Sequence, residues 1–304
     1  MFSHEKLFTF LLLVMITSNT YSLPSGIKIL PDIPYGQDTD QALDVYIPTK
    51  AKNAPVIFMV HGGAWSGGDK ANKSEFENKV AHWVGKGFIF ISTNYRTLPK
   101  IKPDKQAKDI EAALLFAQEG AREWGGSSDK FILMGHSSGA HLVSLISSNY
   151  KAITKDRITP WLGTISLDIS GYDIVKKATG ENPSGFYIEK FGNDSNYWVK
   201  ASPFHILSDK IPPFLAICSL RSDDACTQAK TFTDKAKKLG AYAAIIPIDL
   251  SHGEINSELG KDACYTASID DFLKKLSPDI AKILKNGDTQ PQQKCADTLS
   301  VATD

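Results

Sequence analysis

A serine between two glycines is the first feature of this sequence that could do chemistry. Residues 135–139 read GHSSG, after the apolar run KFILM and before the small-residue run AHLVSLISS. The pattern G-x-S-x-G predicts a tight turn from a strand into a helix, because glycine lacks the Cβ atom that would clash there. Such a turn exposes the Ser137 hydroxyl above the start of a helix, where N–H groups and the helix dipole favour negative charge. These features are typical of a serine nucleophile.

A pair of glycines follows another apolar run. The segment APVIFMV ends in HGGAW, residues 61–65. Backbone N–H groups beside glycines can approach a ligand closely, and acyl transfer needs such donors where charge develops on the carbonyl oxygen. We expect these oxyanion donors to be the N–H groups of Gly63, of Ala64 or Gly62, and of Ser138. His61 precedes the glycines at the strand end, and we interpret it as structural.

Both motifs need a scaffold, and the apolar pattern predicts its type. Continuous apolar runs (APVIFMV, FIFIST, KFILMGH, GTISLDIS, PPFLAICSL, AAIIPIDL) are typical of strands buried on both faces. Residues 73–87, 104–124, 137–150 and 263–285 have helical spacing. Strand and helix alternate, which predicts an α/β fold with a mostly parallel central sheet and helices on both faces. Two shorter β-rich runs, IKILPDI and ALDVYIP, precede it.

Two segments break this alternation. Residues 171–204 are irregular and rich in aromatic residues, and long insertions of this kind usually form lids or binding loops. We therefore predict an inserted lid at about 171–204 within a single domain at 23–286. Residues 287–304 are polar and have no period, which indicates a loose C-terminal tail.

The N-terminus has the organisation of a signal peptide. Lys6 precedes the apolar run Leu7–Ile16, which is too short to span a bilayer comfortably. Thr20 and Ser22 suit the −3 and −1 positions of a cleavage site, so residues 1–22 are expected to be removed. The prediction is a secreted or periplasmic protein with no stable membrane insertion after cleavage. An uncleaved membrane anchor is the alternative.

Composition limits the classes of partner. The chain of 304 residues has 34 Lys+Arg and 34 Asp+Glu, so its formal net charge is zero. A chain with no net charge has no overall attraction for nucleic acid or for an anionic membrane. A hydrophobic fraction of 42% and a charged fraction of 22% argue against disorder and against a coiled coil. The oligomeric state stays open.

Taken together, the motifs resemble those of the α/β-hydrolase superfamily, specifically the hormone-sensitive-lipase-like and feruloyl-esterase-like carboxylesterases. The resemblance covers about residues 27–285. It rests on LDVYIP (43–48), HGGAW (61–65), GGDK (67–70), NYR (94–96), GHSSGAH (135–141), SPF (202–204) and SHGEIN (251–256). HGG-x-W is also similar to the motif of kynurenine formamidases, and it departs slightly from the HGGG of the lipase-like branch.

The resemblance implies a catalytic triad in the chain order serine, acid, histidine. Of the seven histidines, His252 follows the last apolar strand, where a loop can bring its ring to Ser137. The loop RSDDAC after the preceding strand offers Asp223 and Asp224. In related sequences the acid stands three residues before a cysteine, which points to Asp223. Either aspartate could instead cap the following helix.

The mechanism implied is two-step acyl transfer that requires neither a metal nor an organic cofactor. The main prediction is an exported serine carboxylic ester hydrolase acting on small or medium acyl esters. One alternative is an arylformamidase using the same triad, against which the signal peptide argues, because kynurenine breakdown belongs inside cells. A second alternative is a non-catalytic binding member of the fold, against which the three triad residues argue.

The four cysteines lie in the last third of the chain, at positions 218, 226, 264 and 295. Their spacing does not resemble a zinc site. In an exported protein they can form disulfides, and three full pairings exist. We hypothesise a Cys226–Cys264 bridge, because in this fold the loops that carry Asp223 and His252 lie side by side. Cys218–Cys226 is the competing pair.

Overall fold

A computed structural model describes residues 25–286 except 156, 181 and 223. In these residues eight strands form one sheet in the order β1-β2-β4-β3-β5-β6-β7-β8. The strands are β1 (Ile27–Pro34), β2 (Ala42–Pro48), β3 (Ala54–Val60), β4 (Ile89–Thr93), β5 (Gly126–His136), β6 (Gly163–Leu167), β7 (Phe214–Ser219) and β8 (Ala243–Ile248).

The pairing pattern confirms the mostly parallel sheet. Strands β3 to β8 pair in parallel, whereas β1 with β2 and β2 with β4 are antiparallel. Parallel pairing aligns the carboxyl ends of the strands along one edge. The serine after β5 and the histidine after β8 are therefore brought to the same edge of the sheet.

Most of the α-helices lie in the connections between the strands, and the last three follow the final strand. Within the described residues they are α1 (Lys73–Lys79), α2 (Pro103–Gly120), α3 (Ser138–Ser148), α4 (Tyr150–Ile153), α5 (Ile174–Thr179), α6 (Gly185–Phe191), α7 (Ser195–Lys200), α8 (Pro203–Ile206), α9 (Ala225–Lys238), α10 (His252–Ser257), α11 (Ala263–Leu276) and α12 (Pro278–Asn286). The single C-terminal helix predicted at 263–285 is divided at Ser277, because proline disfavours a helical conformation in the residue before it.

Each face of the sheet carries its own hydrophobic core. In β3 the side chains alternate, so that Val56, Phe58 and Val60 pack into one core while Ile57 and Met59 pack into the other. All five are fully buried. A strand that faces two cores must be apolar at every position, and this explains the continuous apolar runs of the sequence.

The segment at 171–204 is more regular than its sequence indicated, because it contains the four short helices α5 to α8. It is joined to the main domain by an ion pair between Lys177 and Asp224, with Nζ and Oδ2 2.7 Å apart. Its action as a lid stays a prediction. The predicted signal peptide and C-terminal tail lie outside the described residues. Among the helices described, none has the length and apolar character needed to cross a membrane.

The disulfide prediction was wrong. Cys226 is bonded to Cys218, with their Cα atoms 5.1 Å apart, and not to Cys264. Cys218 lies near the end of the buried strand β7 and Cys226 lies in the first turn of α9, so the bridge joins a strand to the helix that follows it. Cys264 is also in a disulfide. Cys295 lies outside the described residues.

Candidate active site

The turn that carries Ser137 has the strained geometry that the glycine pattern predicted. Ser137 has φ 54° and ψ −121°, a conformation that a side chain rarely adopts. A Cβ atom at Gly135 would clash with the backbone of Gly139, and one at Gly139 would clash with the backbone of Val60. The first hydrogen bond of α3 is donated by His141 N to Ser137 O, so the N–H of Ser138 has no partner within the helix. The backbone segments around this turn therefore pass close to one another, and Ser137 lies at the tip of the turn.

The loop HGGAW lies beside this turn. Gly63, Ala64 and Trp65 all have positive φ, and the N–H groups of Ser66 and Gly67 both donate to Gly63 O at 3.0 Å. Of the expected oxyanion donors, Ala64 lines the same cleft as Ser137. Gly62 lies close to the turn, since a Cβ atom on it would be 3.0 Å from that of Ser137. The roles of all four expected donors stay predictions.

His252 begins the short helix α10, next to a capping box. The Ser251 side chain accepts from Glu254 N, and the Glu254 carboxylate accepts from Ser251 N. His252 lines the cleft with Ser137. His252, the histidine chosen from the sequence, therefore lies at the same edge of the sheet as Ser137.

The carboxylate beside His252 belongs to Asp168, which sequence reasoning missed. Nδ1 of His252 donates to Asp168 Oδ2 at 2.7 Å, while Ser219 N donates to Asp168 Oδ1 at 2.8 Å. Asp168 is buried and has φ 50°, directly after the end of β6. Because an ionised carboxylate only accepts, Nδ1 carries the proton and Nε2 is left with a lone pair.

Of the two aspartates in the loop RSDDAC, the structure describes only Asp224. Asp223, the residue chosen from the sequence, lies outside the described residues. Asp224 pairs with Lys177 and is the residue before α9, although its side chain makes no capping hydrogen bond. Asp223 as the acid therefore stays a prediction, whereas among the described residues the carboxylate that contacts His252 is that of Asp168, at the end of β6.

A signal for Asp168 was present in the sequence. It is the only charged residue in the run GTISLDISG, and it stands where a buried strand ends. A charge at that point is costly unless it is paired. The resemblance pointed to the loop after β7, which is nearer to His252 in the sequence. Asp168 instead follows β6, and β6 lies directly beside β5, the strand that precedes Ser137.

Two buried histidines next to the serine are held neutral. Burial, followed by the charge of His252, lowers the pKa of His136 to about 3, and burial lowers the pKa of His141 to about 4. His136 Nε2 donates to His252 O at 2.9 Å. His141 Nδ1 accepts from Trp65 Nε1 at 3.2 Å, while its Nε2 donates to Ala201 O at 2.8 Å. Both rings act as fixed hydrogen-bonding groups rather than as bases.

A cleft of about 370 Å³ opens onto Ser137, Asp168 and His252. One wall is aromatic: the buried ring of Trp65 packs against Phe186 and Tyr187 of α6, at centroid distances of 6.0 and 5.8 Å. Arg221 also lines the cleft, and its guanidinium pairs with Asp249 and Glu254. The segment 171–204 thus supplies part of the wall of the cleft, as expected for a binding insertion.

The sheet order, the strained serine turn and the histidine after β8 define the fold class as an α/β hydrolase. The BD-FAE family model matches residues 43–231, which is more than half of the chain. The protein belongs to the BD-FAE family. This confirms the resemblance to feruloyl-esterase-like and related carboxylesterases.

Known proteins support the same assignment. An isoprenylcysteine alpha-carbonyl methylesterase of Arabidopsis thaliana is 26% identical over 260 residues, which are 79% of this chain and 59% of the relative. A kynurenine formamidase of Danio rerio is 28% identical over 134 residues, 44% of this chain and 43% of the relative. The chain therefore spans less than two thirds of the length of either curated relative. Esterase B of Lactobacillus rhamnosis shares the fold, with a TM-score of 0.67 and 20% identity over 88% of this chain and 90% of that one.

Proposed function

We propose that the protein is a serine carboxylic ester hydrolase in which Ser137 is the nucleophile, His252 the base and Asp168 the acid. The observation that carries the proposal is the hydrogen bond from His252 Nδ1 to Asp168, in the cleft that also exposes Ser137. It gives the imidazole the tautomer that a general base needs.

In the first step, His252 Nε2 takes the proton of Ser137 as the serine oxygen attacks the ester carbonyl. Negative charge moves to the carbonyl oxygen, which backbone N–H groups of Gly63 or Ala64 and of Ser138 stabilise. The C–O bond to the alcohol then breaks, and His252 returns the proton to the leaving oxygen. The products are the free alcohol and an acyl-serine.

In the second step, water replaces the alcohol. His252 takes a proton from water, the hydroxide attacks the acyl carbonyl, and the bond to Ser137 breaks with return of the proton to its oxygen. The hydrogen bond from His252 to the Asp168 carboxylate stabilises the imidazolium that forms in each step. No group other than these side chains and backbone amides is needed for the atoms to balance.

The cleft argues for small or medium substrates. Its volume of about 370 Å³ lies near the lower end for ligand pockets. The rings of Trp65, Phe186 and Tyr187 offer apolar contact for an acyl or an alcohol group. We therefore infer that acyl esters of short and medium chain fit better than long ones.

A panel of p-nitrophenyl esters from acetate to palmitate tests this proposal. We expect turnover of the short and medium esters and a steep fall for the longest. Absence of turnover for every ester would contradict the proposed activity and would favour a non-catalytic member of the fold.

An arylformamidase is the second candidate, because HGGAW resembles the formamidase motif and a kynurenine formamidase is among the relatives. The same residues would attack an N-formyl carbon, and an aromatic amine would leave in place of an alcohol. N-formylkynurenine belongs in the same panel. Faster turnover of this compound than of any ester would reverse the order of the two candidates.

Export is part of the proposal and is supported by the sequence of residues 1–22 alone. We expect the mature chain to begin at Leu23. Expression with the native N-terminus in a bacterial host, fractionation, and N-terminal sequencing test this. A chain that keeps residues 1–22 and stays in the cytoplasm would contradict it.

A further inference from the structure

The helix that carries His252 is too short to hold its own position. Helix α10 has six residues, and an isolated helix of that length is not stable in water. The last four carbonyl groups of any helix also lack partners within it. The groups that bind α10 from outside therefore determine where the imidazole of His252 lies.

A buried lysine holds the C-terminal end of α10. Lys79, the last residue of α1, is fully buried. Its Nζ donates to Asn256 O at 2.7 Å, to Asn256 Oδ1 at 2.8 Å and to Ser74 O at 2.7 Å, so all three N–H groups are used. A positive charge at this end of a helix also meets the negative end of its dipole.

Neighbouring side chains complete the attachment of α10. Asn78 Nδ2 donates to Ser257 O at 2.6 Å, and Tyr265 Oη donates to Ile255 O at 2.9 Å. At the other end, His136 donates to the carbonyl of His252 itself. Both ends of the helix are thus fixed, one by the turn that carries the nucleophile and the other by α1.

Lys79 has a buried counter-charge. Glu75 precedes it by four residues on the same face of α1 and is also buried. Burial lowers the pKa of Lys79 to about 8 and raises that of Glu75, and the charge of each opposes the shift of the other. The carboxylate faces the Asn256 side chain and the backbone of Gly62, so the cluster also reaches the glycine loop.

We propose that Lys79 is a positioning residue for His252, which acts by holding α10 through the carbonyl and side-chain oxygens of Asn256. The inference rests on the proposed catalytic role of His252. Lys79 itself does not line the cleft, so its effect on the reaction is indirect. Burying a lysine and a glutamate costs more desolvation than burying apolar residues of similar volume. Placement of the base is a role that would account for these two buried charges outside the cleft.

The test is Lys79→Met, which keeps much of the length of the side chain and removes its donors. Displacement of a catalytic group by about 1 Å can cost roughly a hundredfold in rate. We expect kcat to fall about tenfold to a hundredfold on p-nitrophenyl butyrate, with KM changed less than about threefold. Amide hydrogen exchange in residues 252–257, measured by mass spectrometry, should become faster.

Asp270→Asn is the matched control. Asp270 is a buried carboxylate that accepts from Trp83 Nε1 at 2.8 Å and His82 Nε2 at 2.9 Å, and it joins the segment after α1 to α11. Its replacement should lower the melting temperature while leaving kcat within about twofold and the exchange of 252–257 unchanged. An equal loss of kcat in this control would mean that Lys79 contributes only general stability.

Asn256→Ala covers the case in which Lys79→Met does not fold, because it removes one of the Lys79 contacts and leaves the main-chain one. We expect a smaller loss of kcat and faster exchange in 252–257. Wild-type kcat and wild-type exchange in either folded variant would overturn the inference. The exchange measurement does not require ester turnover. If the protein hydrolyses no ester, the proposed function is contradicted, but hydrogen exchange still shows whether Lys79 positions α10.

Discussion

At the scale of single residues, the proposed triad includes a carboxylate that the sequence motifs did not indicate. Asp168 uses one oxygen for His252 and the other for the backbone of Ser219, so its orientation is fixed from both sides. Its positive φ turns the side chain toward the histidine directly after β6. Asp223, the choice made from the spacing to a cysteine, lies outside the described residues and stays a prediction. Spacing along the chain does not report which strand ends meet across the sheet, so the sequence alone did not point to Asp168.

Asp168→Asn should therefore reduce kcat by about a thousandfold or more, since an amide can present its NH₂ to Nδ1 and favour the wrong tautomer. Asp223→Asn and Asp224→Asn should each stay within about tenfold of the wild type. Steady-state kinetics of the three variants on one p-nitrophenyl ester decide between the acids. A severe loss in Asp223→Asn with a mild one in Asp168→Asn would return the role to the loop after β7.

At the scale of elements, the sequence predicted the sheet well because each buried strand faces two cores and must be apolar throughout. It predicted the segment 171–204 less well. Helices α5 to α8 have four to seven residues each, too few for a helical period to be recognised. For the disulfide, the sequence analysis preferred the wrong one of two pairs. Cys218 and Cys226 are neighbours because α9 folds back directly onto the end of β7.

Cys226→Ala tests the contribution of that disulfide to stability. The bridge spans a sequence separation of eight residues. In the chain-entropy model, closing a loop of that size destabilises the unfolded chain by about 2.5 kcal/mol. We expect the free energy of unfolding in urea to fall by about that amount without reductant. Because reduction would also open the bridge of Cys264, the substitution is the cleaner comparison, and an unchanged free energy of unfolding would contradict the expected role.

At the scale of the whole molecule, buried neutral histidines make stability depend on pH. The pKa of His136 is about 3 and that of His141 about 4, against 6.5 in the unfolded chain. Below pH 6.5 the unfolded state therefore binds protons that the folded state does not, and stability falls as pH falls toward 4. Between pH 7 and pH 5 each histidine removes about 2 kcal/mol from the free energy of unfolding.

His141→Gln isolates one of these contributions. A glutamine side chain can accept from Trp65 and donate to Ala201, as the imidazole does, yet it does not titrate. We expect the loss of unfolding free energy between pH 7 and pH 5 to be about 2 kcal/mol smaller than in the wild type, measured by urea unfolding at both values. Equal losses in the two proteins would mean that His141 does not carry this pH dependence.

The central claim is that Ser137 is the nucleophile, and covalent labelling tests it most directly. The protein is treated with a fluorophosphonate, and the intact mass and the labelled peptide are determined by mass spectrometry. The account predicts one phosphonyl group per chain, attached to Ser137, with loss of ester hydrolysis in proportion to labelling and no adduct in Ser137→Ala. An adduct on another residue, or ester hydrolysis that persists in folded Ser137→Ala at more than about a thousandth of the wild-type rate, would contradict it.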